Sequence, residues 1–347
     1  MQAVIGHRRA VEYLGRVARR GTPAHAYLLV GPPQVGKLTL ARWFASALSC
    51  EARDEAPCGR CRACDLVAAG RHPDVRVVDL EAQRLLLGEK RQASVYKVEL
   101  VRRLQADLAL RPVEAARKVL ILADAERMTP QAANAFLKTL EEPPPFVVLV
   151  LTAQDEEALL PTIRSRCQVL TLRPVGLAEI QEALLARGAS PEEASRLARL
   201  SEGRPGWALQ ALENPEWLAA RQVELERLHH LLGATRSERL LAAEELARDG
   251  ESQEVLRLWA GWWRDVLLLQ SGAQTPLRHA DQRAALEVAA RHLPVESVQQ
   301  VLKTIQRAAR LLRSTNVNAE LVWDVLVLSL PHLSTRQANT AHQRHHG

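Results

Sequence analysis

No apolar run in the chain approaches the roughly 18 residues of a membrane-crossing helix, and the first residues hold no apolar core of a secretory signal. A cytoplasmic protein without a membrane span is expected. A strong charge of one sign is also lacking: 46 basic side chains stand against 40 acidic ones, an excess that permits a nucleic-acid partner without demanding one. Lysine is scarce. Only six of those 46 are lysines, so a lysine at the end of a glycine loop is hard to ascribe to chance, whereas the surplus of arginine, alanine and leucine reflects genome composition more than function. Cysteine is sparse as well, five in 347 residues, which excludes a disulfide framework. That length exceeds one hydrophobic core, so two or three domains are expected to fold without staples.

Residues Val4 to Arg20 carry apolar side chains at helical spacing until Gly21-Thr-Pro23 breaks the pattern. Ala26 to Val30 is a short apolar run of the kind seen in strands covered on both faces. It feeds into Gly31-Pro-Pro-Gln-Val-Gly-Lys37, and a helical pattern follows from Leu38 to Leu48. Strand, Gly-x4-Gly-Lys, helix is a phosphate-loop arrangement. Gly31, Gln34, Val35 and Gly36 offer backbone N–H groups, the helix N-terminus adds positive potential, and Lys37 reaches the outer phosphates. The bland reading of the same residues is a strand-to-helix turn. Leu38 stands where a Ser or Thr hydroxyl would bind Mg²⁺, and Thr39 is no substitute because one residue turns a helical side chain by about 100°.

Cys50, Cys58, Cys61 and Cys64 give C-x7-C-x2-C-x2-C, with Pro57 and Gly59 to shape a knuckle. Four soft ligands fit one tetrahedral zinc, and a set with no place for water points to a structural metal. An iron–sulfur cluster and unmetallated thiols are the rivals. Disulfides do not suit a cytoplasmic chain. Cys167 lies far off and reads as a buried small residue.

Val75 to Leu80, Lys118 to Ala123 and Phe146 to Thr152 read as further strands, with helices from Val98 to Leu110 and from Pro130 to Glu142. The segment through Gly88 to Ser94 reads as polar and irregular. Alternation up to about residue 173 predicts an α/β fold with a parallel sheet clothed on both faces. After Pro174 the pattern is helical, at about 178–187, 191–201 and 205–213, then in longer segments through 330. Trp217, Trp259, Trp262, Trp263 and Trp323 fall on those apolar stripes, as core or subunit interface in the common case and as base-stacking platforms in the rarer one. Thr335 to Gly347 reads as a disordered polar tail.

Taken together, His25-Ala-Tyr-Leu before the loop, the four-cysteine insertion, Asn134-Ala-Phe-Leu-Lys-Thr-Leu-Glu-Glu-Pro143 and Ser165-Arg166-Cys167 resemble the AAA+ clamp-loader subunits of bacterial DNA polymerase III. The resemblance covers nearly the whole chain. It implies an AAA+ P-loop domain over 1–173 with a four-Cys zinc module at 50–64, an all-α lid over 174–212, an all-α collar over 213–333 and a tail over 334–347. ATP-hydrolysing members end the third strand with Asp-Glu, and those places fall on Ala123 and Asp124. The second-sensor arginine of active members falls on Gly206, with Arg204 nearby in another register; the first-sensor threonine falls near Ala153, beside Thr152. Losing metal and sensor groups removes most of the electrostatics of phosphoryl transfer. The resemblance therefore implies a chain without intrinsic ATPase activity inside a DNA-directed DNA polymerase assembly, with ATP or ADP weakly or structurally held.

The same resemblance gives the Ser165-Arg166-Cys167 triplet a role in trans. Arg166, with Ser165 beside it, is implied to face a neighbour's γ-phosphate; Arg164 is the nearby alternative, and the bland reading is an arginine paired with a local carboxylate. Implied partners are gamma/tau and delta subunits in a hetero-pentamer and, through the complex, the sliding clamp and primed DNA. Arg102 and Arg103 are a solvated helix face, or less often a DNA-phosphate contact. A working gamma/tau-like ATPase and a zinc-dependent DNA-binding module are the competing functions.

Overall fold

Short strands assemble into one parallel sheet whose central members are hydrophobic on both faces and must be covered twice. The computed structural model describes residues 3–90, 94–248, 252–312 and 317–333. The chain divides into two compact units, Met1–Leu209 and Gln210–Gly347. The first opens with α1 (Arg8–Arg20), β1 (Ala26–Val30), α2 (Lys37–Ser49), α3 (Arg62–Ala68), β2 (Val75–Val78), α4 (Leu80–Leu87) and α5 (Val98–Leu108). It continues through β3 (Lys118–Leu122), α6 (Pro130–Glu141), β4 (Val147–Ala153), α7 (Pro161–Arg164) and β5 (Gln168–Thr171). Helices α8 (Leu177–Leu185), α9 (Pro191–Leu200) and α10 (Pro205–Glu213) follow.

The strand order is β2-β3-β4-β1-β5, with every pairing parallel. Every residue of β1, β3 and β4 is buried. Leu104, Phe136 and Leu149 fill the core on one side of the sheet, and Leu40, Phe44 and Val150 the core on the other. Burying such side chains stabilises by about 1.5–3 kcal/mol each. Register sets the site: Val30 pairs with Ala153 and Leu122 with Leu151, so the C-terminal ends of β1, β3 and β4 open on one edge, where ligands bind in open α/β sheets.

Four elements differ from the sequence reading, which gives neither the short helices α3 and α7 nor α4 and β5. The segment after β2 begins with a helix, α4, started by the Asp79 carboxylate accepting the Ala82 N–H and ended by Gly88 at φ 67°, a left-handed conformation that glycine adopts freely. β5 was not foreseen as a strand. It is an edge strand of four residues with both terminal residues exposed, so it lacks the continuous apolar run that marks its neighbours. Beyond Thr171 the described residues hold no further strand.

The second unit is all helix among its described residues: α11 (Pro215–Gly233), α12 (Arg236–Arg248), α13 (Ser252–Ser271), α14 (Arg283–His292), α15 (Val295–Leu311) and α16 (Ala319–Ser329), with one 3-10 turn at 280–282. Trp259, Trp262, Trp263 and Trp323 are at most 1% exposed and sit in its core, Trp259 edge-on to Trp323 and Trp262 edge-on to Trp263. Their faces are covered, so they are core and not stacking platforms; Trp217 is half-buried. The expected tail, 334–347, lies outside the described residues.

Candidate functional site

The loop between β1 and α2 brings Gly31, Gln34, Val35, Gly36 and Lys37 into one turn. Only glycine fits at 31, where a Cβ would lie 2.4 Å from the Leu172 carbonyl oxygen. Gly36 at φ 109° and Gln34 at φ 59° fold the loop back onto the start of α2. Lys37 is only 7% exposed, and its Nζ donates to the Gly31 and Pro32 carbonyls at 2.6 and 2.8 Å. Two other segments hold the same loop. His7 Nε2 lies 2.8 Å from the Val35 carbonyl oxygen, and the Gly206 N–H donates to the Gln34 carbonyl at 2.9 Å. Leu38 packs against the sheet core, as its apolar side chain requires.

Where β3 ends, Ala123 is buried and Asp124 is left-handed at φ 46°. The Asp124 N–H donates to Thr152 Oγ1 at 3.0 Å, which joins the ends of β3 and β4. Its carboxylate turns to Arg127, 3.9 Å away. Glu126, to which the sequence assigned no role, is the better-buried acid here. Its Oε1 accepts the Gln154 N–H at 3.0 Å, and burial pushes its carboxyl up against the opposing pull of its own and the Gln154 amides and, least, of Lys37. The signal for it was position alone, two residues past Asp124 on a 3-10 turn. Arg204 is buried; its Nε donates to the Ser201 carbonyl and its guanidinium lies over the Trp207 ring.

The Ser165-Arg166-Cys167 triplet follows α7, whose Ile163 is anchored in the core. Arg166 Nη2 donates to Glu141 Oε1 at 2.7 Å, and its Nη1 donates to the Thr162 carbonyl at 3.0 Å and to Ser165 Oγ at 3.4 Å. The pairing with a local carboxylate is thus present. Ser165 is exposed, and its Oγ donates to the Thr162 carbonyl. Cys167 is half-buried rather than buried, because β5 is an edge strand; its thiol is pushed up to about 12 by burial. Arg103 donates to the Leu86 carbonyl, while Arg102 is exposed on the same helix.

Cys50 at the end of α2, Cys58 and Cys61 in the following loop, and Cys64 on α3 bring their sulfurs within 4.8 Å of one another. Zn–S bonds of about 2.3 Å put tetrahedral sulfurs about 3.8 Å apart, so a small contraction suffices. The Cys58 N–H points at Cys50 Sγ and the Cys64 N–H at Cys61 Sγ, the amide–sulfur contacts that stabilise thiolate ligands. Donation from the Arg60 amide draws the Cys58 thiol down to about 7, whereas burial pushes Cys50 up to about 12. The donor set fits a closed four-sulfur metal site.

The sequence pattern of the family described as "DNA polymerase III, delta subunit" matches residues 6–176, and that described as "DNA polymerase III, delta subunit, C terminal" matches residues 215–332. The DNA polymerase III subunit delta' of Escherichia coli is 30% identical over 90% of this chain and 90% of its own. That of Bacillus subtilis is 28% identical over 88% and 91%. Among solved structures, a DNA polymerase III gamma subunit-related protein from Thermotoga maritima aligns over 91% of this chain and 97% of its own, at 22% identity and a TM-score of 0.43. With both family patterns matched in order and relatives aligned over nearly their whole length, the chain belongs to the family of DNA polymerase III delta' subunits.

Proposed function

We propose that this chain is a non-hydrolysing subunit of the DNA polymerase III clamp loader, a scaffold that supplies Arg166 in trans to a neighbouring ATPase subunit while the sliding clamp is loaded onto primed DNA. One observation carries the reading. At the place of the second-sensor arginine, Gly206 lies in backbone contact with the phosphate loop and leaves no space for a side chain. Leu38 and Ala123 provide no metal ligand, so the charge developing on a transferred phosphoryl group would go unneutralised. Residues 1–173 serve as the AAA+ module, 174–212 as the lid and 213–333 as the collar that joins gamma/tau and delta partners in a hetero-pentamer in the cytoplasm. ATP or ADP at Lys37 is a weak or structural ligand.

The reading is checked by steady-state ATP hydrolysis with the isolated chain. Turnover at background is expected. Turnover above it, abolished by Lys37→Ala, would favour the alternative, a gamma/tau-like motor. Glu126 is the one observation on that side, a carboxylate beside the loop, but its Oε1 is engaged by the Gln154 amide and its burial favours the protonated form.

Cys50, Cys58, Cys61 and Cys64 hold one structural zinc, which supplies a cross-link for the segment between α2 and α3 and no chemistry toward nucleotide.

A further inference from the structure

We infer that Glu141 is the positioning residue for Arg166, fixing the guanidinium in the orientation a neighbour's phosphate needs. The inference rests on the proposal that Arg166 acts in trans. Both ends of the pair stand on rigid supports: Glu141 is the last residue of α6, whose Phe136 and Leu140 are buried, and Arg166 follows α7, pinned by buried Ile163. A side chain set on packed elements is held more tightly than one on a free loop. Arginine on its own would lose much rotamer freedom on meeting a phosphate. Here that freedom is already reduced, since Nη2 is bonded to Glu141 and Nη1 to Thr162 and Ser165.

The remaining valence is what makes the arrangement useful. A guanidinium carries five N–H groups, and these bonds engage at most three of them. At least two are left for phosphate oxygens, so the pair need not break for Arg166 to act. Its side chains are 35% and 49% exposed, for Arg166 and Glu141 respectively, so a second subunit can reach the guanidinium from solvent. Such an exposed pair adds little to stability. Its effect is pre-orientation, which lowers the entropy lost on reaching the reactive geometry. What positions the arginine is an acceptor oxygen; the full negative charge is not required and slightly opposes an approaching phosphate.

The test uses the full chain reconstituted with its ATPase partner subunits, assembly being verified by size exclusion. Glu141→Ala is expected to lower kcat for ATP by about twofold to fivefold with KM unchanged, and Glu141→Gln, which keeps the acceptor oxygen, to stay near the unmodified chain. Arg166→Ala is expected to lower kcat further, and Arg166→Ala with Glu141→Ala to equal Arg166→Ala alone, because Glu141 acts only through the arginine. If Arg166→Ala lowers turnover while Glu141→Ala does not, or if the two losses add, Glu141 has no positioning role although the arginine does act in trans. If Arg166→Ala leaves turnover unchanged, the trans role itself fails and the inference falls with it.

Discussion

The amide of Gly206 donates to the carbonyl of Gln34 at 2.9 Å, and a Cβ built on Gly206 would lie 2.9 Å from that same oxygen and 3.2 Å from the Gln34 Cβ. The start of α10 is therefore seated directly on the phosphate loop, backbone against backbone. Contact this close exists only because residue 206 has no side chain.

Gly206→Ala is expected to push α10 off the loop at an overpacking cost of about 1–3 kcal/mol. Thermal unfolding of the full chain should show its lowest transition several degrees earlier, and Gly206→Arg should be worse. An unchanged transition for Gly206→Arg would mean that the seat is not fixed in solution. Neither variant is expected to gain ATPase activity, since Leu38 and Ala123 still offer no metal ligand.

Protein purified without chelator is expected to carry one zinc per chain by elemental analysis. Cys64→Ser, at a buried member of the cluster, should abolish the stoichiometric metal and lower stability by several kcal/mol, a fraction of the roughly 10–16 kcal/mol with which structural zinc is bound. Hydrogen exchange should locate the loss between α2 and α3. Metal-free protein with normal protection there would reject the zinc assignment.

Acid should loosen the neighbourhood of β2 in two steps. His72 is buried, and its Nδ1 accepts the Asp74 N–H; burial holds its pKa down. Asp74 is 1% exposed, and although burial alone would raise its carboxyl, the amides of Ala115, Val113 and Glu114 outweigh this and hold it below the usual carboxylate range. Both folded-state pKa values are depressed, so each contribution is complete above the unfolded-state value. Each fades as pH falls through the folded one. The His72 contribution therefore begins to fade below about pH 6.5 and that of Asp74 below about pH 3.9. Denaturant melts across pH would register this, and Asp74→Asn should cost about 1–3 kcal/mol at neutral pH. A melt indifferent to that change would overturn the account.

In the second unit, buried Arg239 closes the end of α16 by donating to the carbonyls of Val327, Leu330 and Pro331. Arg239→Lys keeps the charge but cannot span three carbonyls. A loss of about 2–4 kcal/mol is expected from the acceptors left unsatisfied, read as an earlier urea midpoint for the helical unit.

Much of this was legible in the residues because it is local. β1, the phosphate loop and α2 are consecutive, and the chain marks each with its own chemistry: an apolar run, glycines at tight turns, and a helical period. The four cysteines lie close enough in sequence to imply a common centre. α4 and β5 were less legible. The first is a short helix beside a polar stretch, and the second is half-exposed at a sheet edge, so neither carries a full hydrophobic period. Glu126 stands in plain view after β3 but was given no role, because an acid near a strand end has no meaning until burial is known.

The sequence alone determined the chemistry available to this protein: a lysine on a glycine loop, a leucine in place of the loop hydroxyl, four clustered thiols and an arginine in a polar triplet. The folded chain decided which groups meet. Glu141 reaches Arg166 across 25 positions, and Gly206 reaches Gln34 through the packing of a late helix against an early loop. Such pairings are set by how strands order themselves in a sheet and how helices cover it, and no local propensity encodes them.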